Sequence, residues 1–288
     1  MSEAAANPAA GANAAQVEDW NGETGQRWLR QHERLNPQIA PIGQAAMDRA
    51  ALAAGERVLD VGCGCGETSL ELAQRVGPGG AVIGIDASRM LLDAAKALMR
   101  RTGTANASFL LGDAQSYAFS PASFDLIFSR FGVMFFADPV AAFRNLLGAL
   151  RSGGRLSFAC WRAPQESEYV AIPMQAALRH VPRPDAADPP APGPFAFADA
   201  DYVRAILSEA GFAAIEIAPF DHKVGGGTRE ETAAMLLEMG PASRLFRGQD
   251  AAVKAAIRAE LDALLAPLET PEGVRLGIAT WLVRATKV

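Results

Sequence analysis

The stretch Val58–Ala73, VLDVGCGCGETSLELA, decides the architecture. After Arg57, the residues Val58, Leu59 and Val61 make a short apolar run interrupted only by Asp60, the pattern of a strand covered on both faces. Gly62, Gly64 and Gly66 alternate in the turn that follows, and beyond Glu67 the apolar residues recur at helical spacing. Strand, glycine turn and helix form the unit from which open parallel α/β sheets are wound. The turn is where such sheets hold nucleotide-like ligands.

Outward from this unit the alternation continues. AVIGID (81–86), ASFLLGD (107–113), FDLIFS (124–129) and RLSFACW (155–161) read as four further strands. GPGG at 77–80 stops the first helix, Ser88 is placed to cap the second, and Asp138-Pro139 reads as N-cap and first residue of a third that Gly153-Gly154 ends. The rhythm breaks over 162–198, where PRPDAADPPAPGPF has no period. It resumes with Asp199 as a cap, a helix to Ala210, Gly211 as its stop, AAIEIA (213–218), two helices over 229–266 and a last strand LGIATWLVRAT (276–286). The strands number seven, in a doubly wound α/β sheet. The expected divisions are a disordered tail at 1–16, a helical cover at 17–56, a cofactor-binding core at 57–161, an irregular substrate-cover insertion at 162–198, and completion of the sheet with added helices at 199–288.

Composition narrows the function. The 288 residues are half hydrophobic, enough for a sizeable core. The net charge is -5 and no basic run exceeds Arg100-Arg101, so a nucleic-acid partner is not expected. Cys63 and Cys65 stand too close together, with no accompanying ligands, for a zinc site, and no metal is expected. The opening residues lack a basic, apolar leader and no stretch is long enough to span a bilayer, which together predict a cytoplasmic protein.

The ligand is read from the charges beside the glycines. A dinucleotide fingerprint wants a third glycine where this chain has Glu67, at the helix end that would receive a pyrophosphate. Asp60 and Glu67 would repel that phosphate and suit a cationic ligand, and S-adenosylmethionine carries an ammonium and a sulfonium but no phosphate. Dipole stabilisation in the first turn accounts equally for Glu67 alone. Asp86 ends the second strand where a carboxylate would hydrogen-bond a ribose, and Asp113 ends the third, where one would accept from an adenine amino group.

VLDVGCGCG, GIDAS, LLGDAQ, FDLIFSR and LRSGGRLSFACW, in this order, resemble the class I S-adenosylmethionine-dependent methyltransferases. They look most like the small-molecule branch that includes the ubiquinone and menaquinone C-methyltransferases. The resemblance implies a Rossmann-like methyltransferase sheet, S-adenosylmethionine as cofactor and a small-molecule methyl acceptor, and it is compatible with a homodimer. It implies that Asp60, Gly62 and Gly64 hold the methionine end, Asp86 the ribose, and Ala87 and Met90 the adenine face. It further implies that Asp113 and Ala114 read the adenine edge and that Ser129 and Arg130 lie near the carboxylate and sulfonium.

The fourth strand ends in SRFG rather than the [DN]-P-P-[YF] of enzymes that methylate amino groups on DNA bases or protein glutamine, and the DPP at 188–190 lies in the proline-rich segment. A small organic acceptor and direct transfer without metal are therefore expected. Trp20, Trp28, Phe131, Met134, Phe135, Trp161 and Tyr169 are candidates for an apolar acceptor pocket, though ordinary core packing explains each singly. His180 and His222 are candidate bases, and no catalytic residue is assigned. Two other functions fit parts of the pattern: a nicotinamide oxidoreductase, disfavoured by Glu67 and Asp60, and a non-catalytic S-adenosylmethionine-binding module.

Overall fold

The computed structural model describes residues 11–183 and 191–288. The first ten residues of the expected tail and the PDAADPP stretch, with its DPP, lie outside them. The chain divides into two units, one comprising Met1–Trp161, Pro190–Pro219 and Trp281–Val288, the other Arg162–Pro189 and Phe220–Thr280.

Two helices open the first unit, α1 (Ala14–Asn21) and α2 (Glu23–Arg49). The expected alternation follows: β1 (Arg57–Val61), α3 (Glu67–Val76), β2 (Ala81–Asp86), α4 (Arg89–Thr102), β3 (Ala107–Leu111), β4 (Phe124–Arg130), α5 (Pro139–Ala149) and β5 (Leu150–Trp161). After α6 (Glu168–Leu178) in the second unit come α7 (Ala200–Ala210), β6 (Ala213–Gly227), α8 (Arg229–Glu238), α9 (Pro241–Arg247), α10 (Ala251–Leu265), β7 (Glu269–Thr270) and β8 (Gly273–Thr286). Strand order is β3-β2-β1-β4-β5-β8-β6, with β7 paired to β8. The sheet thus has eight strands, one more than expected, and the extra is the two-residue β7.

Pairing from β3 through β5 is parallel. Such strands are covered on both faces, and β1 and β4 are buried along almost their whole length, including Leu59, Leu126, Ile127 and Phe128. Strand order runs one way from β1 to β2 and the other from β4 to β5. The switch point therefore lies beyond the carboxyl ends of β1 and β4, where an open sheet leaves a crevice for ligand.

Local chemistry explains the boundaries. The Asp138 carboxylate accepts from Ala141 N–H with Pro139 in the first turn of α5, and the Asp199 carboxylate accepts from Asp201 and Tyr202 N–H, with left-handed Gly211 closing α7 as expected. Two expected punctuation marks differ. Gly153-Gly154 does not end α5, which stops at Ala149; the pair lies in β5, bonded to the Lys287 backbone, while Lys287 Nζ donates to Leu147 and Leu150 carbonyls at the end of α5. A cation there satisfies orphan carbonyls and the helix dipole. Ser88 occupies the N-cap of α4 but its hydroxyl makes no capping bond; Asp86 accepts the Ser88 N–H instead.

The segment 162–198 is not irregular throughout, since α6 forms within it despite Pro173, burying Val170, Ala176 and Ala177. Residues 229–266 hold three helices, not two. In the second unit Leu236, Ile257, Leu261 and Leu265 provide the buried side chains of these helices.

Candidate functional site

The crevice is floored by backbone in close approach. Gly62 has φ +68°, and a Cβ there would lie 2.6 Å from Gly132 Cα, so the loop after β1 rests on the loop after β4 with no room for a side chain. At Gly64 the Cβ position has only Trp28 Nε1 within 4 Å, at 3.6 Å. The indole from α2 borders the middle of the loop.

Three carboxylates stand along this edge, one each at or just past the ends of β1, β2 and β3. Asp60 is fully buried; its Oδ2 accepts from Thr68 Oγ1 at 2.7 Å and Ser69 Oγ at 2.6 Å, while Oδ1 is buried without a partner among the described residues. Burial pushes its pKa up to about 6, against the two hydroxyl donors and the Arg130 guanidinium, which favour the charged form. Asp86 Oδ2 accepts from Gly64 N–H and Oδ1 from Ser88 N–H, both at 2.8 Å, and burial again raises its pKa against these donors. Each oxygen keeps a second lone pair. Asp113 Oδ1 accepts from Gln115 N–H at 3.0 Å and Asn13 Nδ2 at 3.2 Å, and the buried Ala114 offers its carbonyl to Asn145.

Ser129 is fully buried, and its hydroxyl donates to the Val61 carbonyl at 2.7 Å and accepts from Gly132 N–H at 3.1 Å. The donor and one lone pair of the hydroxyl lock the β1 and β4 loops together. Arg130 reaches Asn36 Oδ1 at 2.7 Å and carries its positive charge among Glu67, Asp60 and Glu71; burial depresses its pKa, opposed by those acids.

Sequence reading missed what α1 and α2 do here. Asn13 joins Asp113 to Ala137 N–H beyond β4; Asn21 Nδ2 donates to the Ala87 carbonyl and its Oδ1 accepts from Arg89 N–H. A Cβ on Gly25 would lie 3.5 Å from Met90 Sδ. Trp28, His32 and Asn36 follow at one-turn spacing, the first against Gly64, the second bonded to Glu67 through Nδ1 at 2.7 Å, the third to Arg130. The two helices thus touch the loop after every one of β1 to β4. The i, i+4, i+8 recurrence of Trp28, His32 and Asn36 was the available signal. Glu67, read as facing a cation, has its carboxylate on His32.

Of the acceptor-pocket candidates, Phe131 and Trp161 stack with centroids 4.7 Å apart and an 11° interplanar angle, at the ends of neighbouring β4 and β5. Phe131 has φ +65°, a left-handed conformation that is an outlier for a bulky side chain and is concentrated at functional sites. Trp20 packs edge-on to Phe135, centroids 5.2 Å apart, and Met134 is buried. Tyr169 on α6, His180 beyond the end of that helix and His222 on β6 all belong to the second unit, His222 stacked on Phe220. Among the described residues no group of three His, Cys, Asp or Glu could hold a metal, and no helix is long and apolar enough to cross a membrane.

This sheet order, with a glycine loop at the switch point and an acid closing each of three consecutive strands, defines a class I, Rossmann-like methyltransferase. Residues 52–183 match a family described as a methyltransferase domain. Over 165 residues the chain is 33% identical to aklanonic acid methyltransferase DauC of a Streptomyces species, covering 54% of this chain and 75% of that one. Over 110 residues it is 34% identical to the demethylmenaquinone methyltransferase of Lactococcus lactis, covering 38% of this chain and 44% of that one. The crystal structure of YcgJ from Bacillus subtilis shares the fold, with a TM-score of 0.57 at 20% identity over 85% of this chain and 97% of that one. The chain spans three quarters of the first relative and under half of the second. It belongs to the methyltransferase family, and it is an S-adenosylmethionine-dependent enzyme. The nicotinamide and non-catalytic readings find no support.

Proposed function

We propose that this enzyme methylates a small, planar, ring-containing organic molecule by direct transfer without a metal. The observation that carries the reading is the row of acids at the ends of β1, β2 and β3 with one buried arginine beside it. S-adenosylmethionine presents a matching series: cationic sulfonium and ammonium, a carboxylate, a ribose diol and an adenine amino group. The unpartnered Asp60 Oδ1 supports an ammonium neighbour, Arg130 a carboxylate, the spare lone pairs of Asp86 the diol, and Asp113 with Ala114 the adenine edge. Gly62 and Gly64 leave backbone bare for the methionine chain, and Ala87 and Met90 pack the adenine face. Ser129 acts one step back, holding Gly132 in place.

When bound, S-adenosylmethionine supplies a methyl group already activated on a sulfonium. The protein then has to align the acceptor, and alignment alone is worth roughly 7–11 kcal/mol. The Phe131–Trp161 stack offers a flat aromatic surface for such an acceptor, while Trp20 and Trp28 contribute apolar surface from the helical cover. The two relatives are named for aklanonic acid and demethylmenaquinone, which makes these the first acceptors to try. Transfer of radiolabel from S-adenosylmethionine to either, surviving exhaustive EDTA, is the expected result. Loss under EDTA with recovery on adding magnesium or zinc overturns the metal-free reading. A cytoplasmic setting, compatible with a homodimer, belongs to the same reading and is checked by cell fractionation and light scattering.

Asp60 sets a pH dependence. Its folded pKa, about 6, lies above the ordinary 3.8. The protonated form therefore stabilises the fold below about pH 4, and that contribution is lost as pH rises through about 6. Only the ionised form attracts an ammonium. S-adenosylmethionine affinity is expected to rise across pH 5 to 7 and to flatten in Asp60→Asn, measured by calorimetry. An unchanged pH slope in that variant removes Asp60 from the cofactor.

A further inference from the structure

His32 and Glu67 form a pair that neither joins two strand ends nor caps a helix. Nδ1 of His32 lies 2.7 Å from Glu67 Oε1, and the two side chains are 16% and 20% exposed. His32 Nε2 makes no hydrogen bond to any described residue. The ring lies in the Trp28–His32–Asn36 stripe of α2, one turn from the indole at Gly64 and one turn from the asparagine that holds Arg130. Arg130 in turn precedes Phe131, the strained residue of the aromatic stack. A histidine oriented through one nitrogen by a carboxylate next to the glycine loop, with the other nitrogen unengaged, has the arrangement of a general base.

We propose that His32 takes a proton from the methyl acceptor through Nε2, and that Glu67 is the positioning residue that keeps the proton on Nδ1. The proposal rests on the methyltransferase reading and deepens it by naming the acceptor chemistry: a phenolic or enolic hydroxyl. The acceptor O–H bond breaks with its electron pair remaining on oxygen, an N–H bond forms at Nε2, and Glu67 offsets the imidazolium charge. The resulting oxyanion is the nucleophile, and the proton leaves Nε2 for water after transfer. The charged group on the ring itself is Glu67; Glu67 in turn faces Arg130 and Cys65, Arg130 also faces Asp60 and Glu71, and Cys65 also faces Asp86 and Glu33.

Two measurements test the pair. The first needs neither cofactor nor acceptor: long-range proton–nitrogen NMR correlation of the free enzyme reports which ring nitrogen carries the proton. Nδ1–H is expected in the wild type and a shift to Nε2–H in Glu67→Ala. Nε2–H in the wild type overturns the proposal. The second uses whichever of aklanonic acid and the reduced, quinol form of demethylmenaquinone the wild type methylates, since the quinone itself has no hydroxyl to deprotonate. At saturating S-adenosylmethionine, where the Asp60 effect on affinity does not enter, His32→Asn is expected to lower kcat at least about a hundredfold, to lose the fall in kcat at low pH, and to bind S-adenosylhomocysteine within about threefold of wild type. Added imidazole should restore part of the rate to His32→Gly. A His32→Asn enzyme that keeps more than about a third of wild-type kcat with an unchanged pH profile overturns the proposal. Failure of the wild type on both acceptors counts against the acceptor reading, and the tautomer then decides the pair by itself.

Discussion

Asp86→Ala is expected to weaken S-adenosylhomocysteine binding about a hundredfold. Two charge-assisted hydrogen bonds to a ribose diol, at roughly 1.5 kcal/mol each, make about 3 kcal/mol or two decades of affinity. The carboxylate also accepts from Gly64 and Ser88 N–H. Its removal therefore frees the glycine loop from the β2 loop as well, which adds to the loss. Asp86→Asn preserves shape but not charge and should fall between the two. Isothermal calorimetry on folded protein is the measurement, and unchanged affinity in Asp86→Ala removes the ribose from this residue.

Gly62→Ala is expected to cost about 2–5 kcal/mol of stability. An L residue at φ +68° carries a left-handed penalty of about 1–2 kcal/mol. The new Cβ, 2.6 Å from Gly132 Cα, must also push backbone aside, at roughly 1–3 kcal/mol for an overpacked site. Gly64→Ala is the control: φ is +54°, but only the Trp28 indole stands nearby, at 3.6 Å, so only the backbone penalty applies. Urea unfolding midpoints compare them. Equal losses would mean that contact with Gly132 is not what restricts position 62.

The parallel strands were legible because burial on both faces leaves continuous apolar runs, as in Leu126–Phe128, and because glycine or a capping acid closes most of the intervening helices. The three acids were legible for the same reason: a charge ending such a run has few structural uses. What was not legible depends on distant partners. The cover was expected to be helical, but not that α2 would run unbroken through Pro37 and Pro41, where burial of Ile42, Ala46 and Met47 holds it. The outer half of β6 alternates exposed and half-buried residues, so only its first residues read as a strand. Asn13 meets Asp113 one hundred positions away, and no local pattern announces such a contact. Nothing local marks His32 either, because its carboxylate belongs to another helix, 35 positions on.

The contacts of α1 and α2 have a consequence for how the molecule is made. These helices leave the ribosome before the groups they grip: Gly64 and Glu67, then Ala87 and Arg89, then Asp113, Arg130 and Ala137. Asn13 spans 124 positions to reach Ala137, so its docking awaits synthesis of β4 and the loop beyond it. Chain closures of that span are the slow, non-local steps of folding. Helices made before the sheet are thus among the last elements to settle, and the cofactor end of the sheet is sealed by residues that waited for it to be built.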